Sequence, residues 1–147
     1  MIVISPWARP LRNGAPNPKN YPFWPELISL IDEPIVQVGT KGETQLTTHM
    51  QTDLDLSSLA ALIHSCRTWI SVDSFFQHYA WHIGKPGIVL WGQSDPNIFG
   101  HTSNINLLKD RSYLRQQQFW LWEQAEYRTD CWLDPATVAQ VLLSSKV

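Results

Sequence analysis

This chain has few cysteines, little net charge and no long apolar run, and each scarcity excludes a class of protein. Its 147 residues include two cysteines, Cys66 and Cys131, too few for a disulfide framework or a cysteine-rich metal site. The formal net charge of −2 argues against a nucleic-acid partner. No apolar stretch approaches about 18 residues, and no basic segment precedes an apolar run at the amino terminus. We therefore expect no membrane span, no signal peptide and a cytoplasmic location.

The composition is that of a folded domain with an unusual share of tryptophan. Apolar residues make up 44% of the chain and charged residues 16%, which suits a packed core and not a disordered chain. We predict a single domain over residues 1–147, with a helical segment at 110–147 that packs on it. A core of this size is too small to bury all eight tryptophans, so the remaining ones indicate an aromatic contact surface.

Short apolar runs alternate with helical patterns along the chain. The predicted strands are Ile2–Ser5, Pro34–Gly39, Thr68–Val72 and Gly87–Trp91, with a minor strand at 45–48. The predicted helices begin near Pro22 or Pro25, after Asp55, near Phe75, at Leu114 (to Ala125) and after Asp134. Residues 6–21 and 93–107 have the composition of irregular loops. This alternation implies right-handed βαβ units, and hence an α/β, three-layer, Rossmann-like domain with a mainly parallel sheet.

Polar residues gather where the third predicted strand ends and the next helix begins, at Asp73 and Ser74. Ligands of open α/β sheets bind at the carboxyl ends of the strands. The first N–H groups of the following helix have no partner within the helix, and they attract anions. The sequence therefore predicts a nucleotide or another phosphate-bearing ligand at this edge.

Four sequence segments follow one another between the predicted strands. They are Pro18-Lys19-Asn20-Tyr21-Pro22, then Gln37-Val38-Gly39 with Glu43, then Asp73-Ser74-x-x-x-His78-x-Ala80, then Gly84-Lys85-Pro86 with Gly92-x-x-x-Pro96-x-x-x-Gly100. In this order they resemble the C-terminal, donor-binding half of family 9 glycosyltransferases, the heptosyltransferase-like enzymes of the GT-B fold. The resemblance covers residues 2–107.

The resemblance implies a single half of a GT-B fold that binds a nucleotide sugar, with no metal and no further cofactor. Lys19, or alternatively Arg9 or Arg12, would face the diphosphate together with Ser74 and the first amides of its helix. Glu43 would accept hydrogen bonds from the ribose hydroxyls, and the backbone at 37–39 would face the base. The donor-binding residues implied in this way are Ser5, Lys19, Gly39, Glu43, Asp73, Ser74, His78 and Gly92.

The chain departs from the family pattern in two ways. Phe75 stands where the family has a glycine after Asp-Ser/Thr, so a phosphate would approach that backbone less closely. The family's catalytic carboxylate belongs to the N-terminal, acceptor-binding half, so no residue here is assigned as catalytic. We therefore expect the domain to act with a separate protein partner or as a homo-oligomer.

Each candidate also has a plainer interpretation. Ser74 and Gln77 have the spacing of a capping box, and Asp73 suits a turn or a cap. Lys19 and Glu43 can be solvated loop residues, and His78 can be a half-buried histidine with a structural hydrogen bond. His78 and His82 have the spacing of two metal ligands on one helix face, but no third ligand is evident.

Two other functions compete with the donor-binding hypothesis. A non-catalytic subunit can retain a glycosyltransferase fold without its chemistry, since fold does not imply function. A complete small phosphate-transferring enzyme is less well supported, because the chain has neither a G-x-x-x-x-G-K-S/T loop nor a G-x-S-x-G elbow.

Overall fold

The computed structural model describes residues 1–145, and its strands form one six-stranded sheet. The strands are β1 (Ile2–Ser5), β2 (Ile35–Gly39), β3 (His49–Thr52), β4 (Thr68–Val72), β5 (Ile88–Trp91) and β6 (Ile105–Leu108). The helices are α1 (Trp24–Ser29), α2 (Leu56–Ser65), α3 (Phe75–His82), α4 (Pro96–Phe99) and α5 (Pro135–Ser144). All neighbouring strands pair in parallel, which confirms the predicted α/β, Rossmann-like class.

The order of the strands places a crevice in the middle of the sheet. The order is β3-β2-β1-β4-β5-β6, so the chain runs outward from β1 in one direction and then returns to β4, which lies beside β1. The connections that leave β1 and β4 therefore diverge. Such a switch point opens a crevice at the carboxyl ends of the two strands, where α/β proteins place their ligands.

Alternate residues of the central strands are buried on opposite faces of the sheet. On β1, Ile2 and Ile4 pack in a cluster with α1 and α5, whereas Val3 packs in a second cluster with α2 and α3. Both clusters contain fully buried aromatic rings, Trp24 in the first and Trp69 in the second. Burial on both faces explains why these strands are continuous apolar runs.

Short acidic side chains begin most of the helices. Asp55 accepts a hydrogen bond from the Ser58 N–H at 2.7 Å at the start of α2, and Asp134 accepts one from the Thr137 N–H at 3.0 Å at the start of α5. Asp95 caps α4 in the same manner. The N-cap residue of α3, Ser74, makes no such bond. The one long helix that begins at the crevice therefore keeps its first N–H groups free of a side-chain cap.

Two elements near the sheet edges differ from the prediction. The minor strand predicted at 45–48 is wrong: there the Leu46 N–H bonds to the buried Gln37 side chain, and the strand is the polar β3 that follows. The stretch at 93–107, expected to be irregular, contains α4 and β6. Polar Asn106 interrupts the apolar pattern of β6, but its side chain accepts a hydrogen bond from Trp91 Nε1 at 2.9 Å.

The helix predicted over Leu114–Ala125 is also wrong. This region contains only the short 3-10 turn Trp122–Gln124, after another at Arg111–Tyr113. Hydrogen bonds to distant residues replace the helical ones, because the Arg115 N–H bonds to the Gln93 carbonyl and the Gln118 side chain bonds to the Gln93 carbonyl and the Asp95 N–H. Of the apolar residues that suggested a helix, Phe119 and Leu121 remain exposed, Phe119 at 79%, whereas Trp122 is partly buried.

The predicted C-terminal helical segment, 110–147, is helical mainly in α5, which packs against α1 over the sheet. Residues 146–147 of this prediction lie outside the described residues. The division of the chain into domains stays a prediction. Among residues 1–145, no helix combines the length and the apolar character needed to cross a membrane.

Candidate functional site

A cleft of about 900 Å³ opens at the carboxyl edge of the sheet, at the switch point between β1 and β4. Its floor comes from the ends of neighbouring strands, with Ser5 as the last residue of β1, Gly39 as the last residue of β2 and Asp73 directly after β4. The loop at 6–21 covers one side, and the start of α3 forms another. The volume suits a ligand of nucleotide size.

Seven of the eight predicted donor-binding residues line this cleft, and one does not. The seven are Ser5, Lys19, Gly39, Glu43, Asp73, Ser74 and His78. Gly92 is buried beneath Trp132, and a Cβ atom there would lie 2.7 Å from the Trp132 ring and 3.1 Å from Cys131 Sγ. Its missing side chain therefore makes room for packing and not for a ligand. Of the alternative cations, Arg9 lines the cleft, whereas the Arg12 N–H bonds to Glu123.

Asp73 is the buried centre of the cleft and is held from two sides. Its Oδ2 lies 3.2 Å from Lys19 Nζ, and its Oδ1 accepts a hydrogen bond of 2.9 Å from Gln77 Nε2. Lys19 reaches this position because Asn17 accepts a hydrogen bond from the Lys19 N–H and donates one to the Arg9 carbonyl. The Lys19 ammonium is therefore directed into the cleft and is not a free loop cation.

Ser74 and the start of α3 line the same cleft, and this helix has no side-chain cap. Ser74 Oγ is buried and has no hydrogen-bond partner among residues 1–145, and the side chain of Ser74 does not cap α3. The predicted capping box is wrong, because Gln77 bonds to Asp73 and not back to Ser74. A buried hydroxyl without a partner is costly unless a ligand or water satisfies it.

Phe75 does not block the cleft. Its ring stacks on Tyr79 with centroids 5.8 Å apart, and the residue is 62% exposed at the rim. The phosphate approach that the sequence placed in doubt is therefore open beside Ser74, although Phe75 contributes to the lining.

His78 faces a second histidine at the rim. Its Nδ1 lies 2.8 Å from His101 Nε2, and the His101 ring stacks on Trp81 with centroids 4.4 Å apart. Burial, together with the nearby His78, lowers the pKa of His101. His82 instead stacks on Tyr79. Within residues 1–145, no group of three or more His, Cys, Asp or Glu side chains is arranged to hold a metal ion.

The β2 end of the cleft is built around Gly39 and Glu43. The Glu43 carboxylate turns back over Gly39 and accepts the Thr40 N–H, and a Cβ on Gly39 would collide with it. The buried Gln37 fixes the same loop by donating to the Thr44 carbonyl at 2.9 Å. Glu43 thus lies in the predicted place with one oxygen already bonded.

Sequence reasoning missed several lining residues that come from β3, the start of α2 and α4. They are Gln51, Asp53, Leu54, Leu59 and Phe99. Of these residues, Asp53 is the one that the sequence could have indicated as a turn residue. Asp tolerates a positive φ better than most residue types, and Asp53 adopts a φ of 54°. Its carboxylate accepts the Lys41 N–H at 3.1 Å, and its own N–H bonds to the Gly39 carbonyl.

The family model for glycosyltransferase family 9 (heptosyltransferase) matches residues 26–126. The chain belongs to glycosyltransferase family 9. The match includes most of the cleft, namely the ends of β2, β3 and β4 and the start of α3. No curated protein matches the chain in sequence.

Solved structures of family 9 enzymes share the fold at low sequence identity. E. coli heptosyltransferase WaaC with ADP aligns with a TM-score of 0.67 and 17% identity, over 97% of this chain and 43% of that one. E. coli ADP-heptose LPS heptosyltransferase II aligns with a TM-score of 0.65 and 19% identity, over 98% of this chain and 45% of that one.

A third solved structure is the dodecameric iron-containing heptosyltransferase TibC in complex with ADP-D-β-D-heptose. It aligns with a TM-score of 0.60 and 14% identity, over 91% of this chain and 35% of that one. The family 9 chain described here thus spans less than half the length of each of these structural relatives. At these identities the likeness shows the fold alone.

Proposed function

We propose that this family 9 chain binds a nucleoside-diphosphate sugar in the cleft between β1 and β4, as the donor-binding half of a glycosyltransferase. The observation that carries the proposal is the presence of three groups in one cleft. Lys19, Ser74 and the uncapped start of α3 all line it, and the Ser74 hydroxyl has no hydrogen-bond partner among residues 1–145. Cations and helix N-termini are the groups that bind a diphosphate.

The arrangement supports a division of roles along the cleft. Lys19 and Ser74 would hold the diphosphate, and the same groups would stabilise the negative charge that develops on the diphosphate as it leaves the sugar. Gly39, with Val38 and Leu54 nearby in the lining, would face the nucleoside. His78 at the rim would face the sugar side. ADP is the first nucleotide to test, because two of the structural relatives are complexes with ADP or an ADP-sugar.

Catalysis requires an acceptor and its activating group, and for these we propose a separate partner chain. The alignments leave the remaining part of the two E. coli enzymes, 43% and 45% of which are covered, without a counterpart among these residues. The correspondence to the C-terminal half, the cytoplasmic location and the lack of a cofactor rest on the resemblance and on composition, and they stay predictions.

Titration calorimetry with ADP, UDP and GDP tests the donor site. We expect binding of one nucleoside diphosphate by the wild type, and a loss of about tenfold in affinity for Lys19→Met. Lys41→Met is the matched control, since Lys41 carries the same charge near the cleft without lining it. Equal losses in both variants would mean that Lys19 acts only through long-range charge.

The second candidate is a non-catalytic subunit that keeps the fold, favoured by Phe75 in place of the family's glycine. It predicts no calorimetric response to any nucleoside diphosphate or sugar nucleotide. Transfer assays with the chain alone, and with an added acceptor-domain protein, then separate a half-enzyme from a binding module.

A further inference from the structure

The segment at 114–127 is built against the loop that carries Lys19. The Tyr127 hydroxyl donates to the Asn20 carbonyl at 3.2 Å, and Glu123 accepts the Arg12 N–H at 3.3 Å. On its other side the segment is anchored to the turn after β5, where Gln93 Nε2 donates to the Glu126 carbonyl at 2.8 Å. The segment at 114–127 therefore packs against the loop at 6–21, which covers one side of the cleft.

Trp122 is the residue of this segment that contacts the cleft's lysine. Lys19 Nζ lies 5.0 Å from the centroid of the Trp122 ring, within the range of a cation–π interaction. The same ammonium lies 3.2 Å from Asp73 Oδ2. Lys19 is thus placed by a carboxylate from the β4 end and by an aromatic ring from the C-terminal segment.

Arg115 in turn holds the Trp122 ring. Its guanidinium carbon lies 3.8 Å from the ring centroid, and its NH groups donate to the carbonyls of Trp120 and Leu121. In the described part of the chain its buried Nε has no hydrogen-bond partner, and burial lowers the pKa of Arg115. A cation held so closely restricts how the ring can turn, and hence where Lys19 can rest.

We propose that Trp122 is a positioning residue for Lys19, which it holds in the place where the diphosphate of the donor binds. This inference rests on the proposed function for its ligand and on the ring–ammonium geometry for its mechanism. Lysine side chains lose much rotamer freedom when they are ordered, so a ring that orders Lys19 beforehand reduces the cost of binding.

A double-mutant cycle with ADP, measured by calorimetry on the full chain, tests the ligand part. Trp122→Leu should weaken ADP binding about fivefold in the wild-type background and leave it unchanged in the Lys19→Met background. Trp122→Phe, which keeps a ring, should recover most of the affinity. Trp120→Leu is the matched control, because Trp120 is exposed two residues away and its backbone bond to Arg115 is retained.

Losses of equal size in the two backgrounds would overturn the proposal, because Trp122 would then act on the fold and not on Lys19. An affinity of Trp122→Leu equal to that of the wild type would overturn it as well. Both results leave the donor-site proposal standing, which makes the two failures distinguishable.

Acylation of lysines with an N-hydroxysuccinimide ester tests the positioning without any ligand. Mass spectrometry should show faster acetylation of Lys19 in Trp122→Leu than in the wild type, with Lys41 as the internal standard. If the wild type binds no nucleoside diphosphate, the proposed function fails, but this measurement still tests whether Trp122 positions Lys19. Unchanged reactivity of Lys19 in Trp122→Leu would refute that role, and raised reactivity would support it.

Discussion

Lys19 and Asp73 form an ion pair at the bottom of the cleft, with Nζ 3.2 Å from Oδ2. The two residues come from different loops, and only the adjacency of β1 and β4 brings them together. A diphosphate that binds to Lys19 would have to compete with the Asp73 carboxylate for it, and would also be repelled by that carboxylate. The ion pair therefore sets the strength and the salt dependence of anion binding.

Replacing Asp73 by Asn should tighten ADP binding about fivefold at low ionic strength, because one negative charge leaves the cleft and Lys19 is released. Asparagine can still accept the hydrogen bond from Gln77, so the local structure is kept. Asp53→Asn serves as the control, since it removes a charge from the same lining without touching Lys19. Weaker ADP binding by Asp73→Asn in calorimetry would instead make Asp73 a direct ligand contact.

Replacing Ser74 by Ala should leave the free energy of unfolding unchanged or slightly higher, because the Ser74 hydroxyl caps nothing and has no partner. ADP affinity should nevertheless fall about fivefold if the hydroxyl binds a phosphate oxygen. The comparison variant is Asp55→Ala, which removes the N-cap bond to the Ser58 N–H and should lower the urea midpoint of unfolding. A Ser74→Ala variant as unstable as Asp55→Ala would show that Ser74 acts as a cap after all.

The same substitution at two glycines should separate packing from binding. Gly92→Ala forces a methyl group against the Trp132 ring and should cost about 1–3 kcal/mol of stability, with ADP affinity unchanged below the melting range. Gly39→Ala meets the movable end of Glu43 in the cleft, so it should affect ADP affinity more than stability. Thermal unfolding measures the stability of both variants, and calorimetry measures their ADP affinity. A loss of ADP affinity in Gly92→Ala but not in Gly39→Ala would contradict the assignment of Gly92 to packing and Gly39 to the cleft.

The ion pair between Asp95 and Arg111 should make the free energy of unfolding depend on pH in the acid range. The hydrogen bonds from Arg111, at 3.0 and 2.8 Å, lower the pKa of Asp95. Folding then favours the ionised carboxylate, so its contribution is full above the unfolded pKa of about 3.9 and is lost as the pH falls through the lower folded pKa. Asp95→Asn should therefore cost about 1 kcal/mol near neutral pH and almost nothing near pH ~2.

The control for this acid effect is Asp130→Asn. Asp130 pairs with Arg128 at 2.7 Å, but its side chain is 58% exposed, against 11% for Asp95. Exposed pairs contribute little, so the urea midpoint should hardly change in this variant. A destabilisation of Asp95→Asn that persists at low pH would point to its N-cap bond and not to the ion pair.

The exposed aromatic surface expected from the tryptophan count is confirmed in part. Trp24, Trp69, Trp91 and Trp132 are buried, whereas Trp81 and Trp120 are largely exposed. The sequence could not assign these roles, because a tryptophan in an apolar strand and one in a surface loop have similar neighbours in the chain. The function of the exposed rings as a docking surface stays a prediction.

Local patterns predicted the central strands and the polar edge after β4 correctly. A continuous apolar run and the polar residues that follow it are both visible in residues adjacent in the sequence. Local patterns did not predict β3, whose residues are mostly polar and exposed, or β6, where Asn106 accepts a hydrogen bond from the distant Trp91 side chain. For the same reason a helix was expected over Leu114–Ala125, where Gln93 provides the hydrogen bonds instead.

The amino-acid sequence alone was sufficient for the α/β class, the sheet core and the location of Asp73 and Ser74 at a strand end, since burial and helix initiation act over a few residues. It was not sufficient for the ion pair of Lys19, the histidine contact of His78 or the ring of Trp122 beside the cleft. Those contacts join residues far apart in the chain. The strand order and the packing of the C-terminal segment bring them within a few ångströms of one another, and no local pattern records that order.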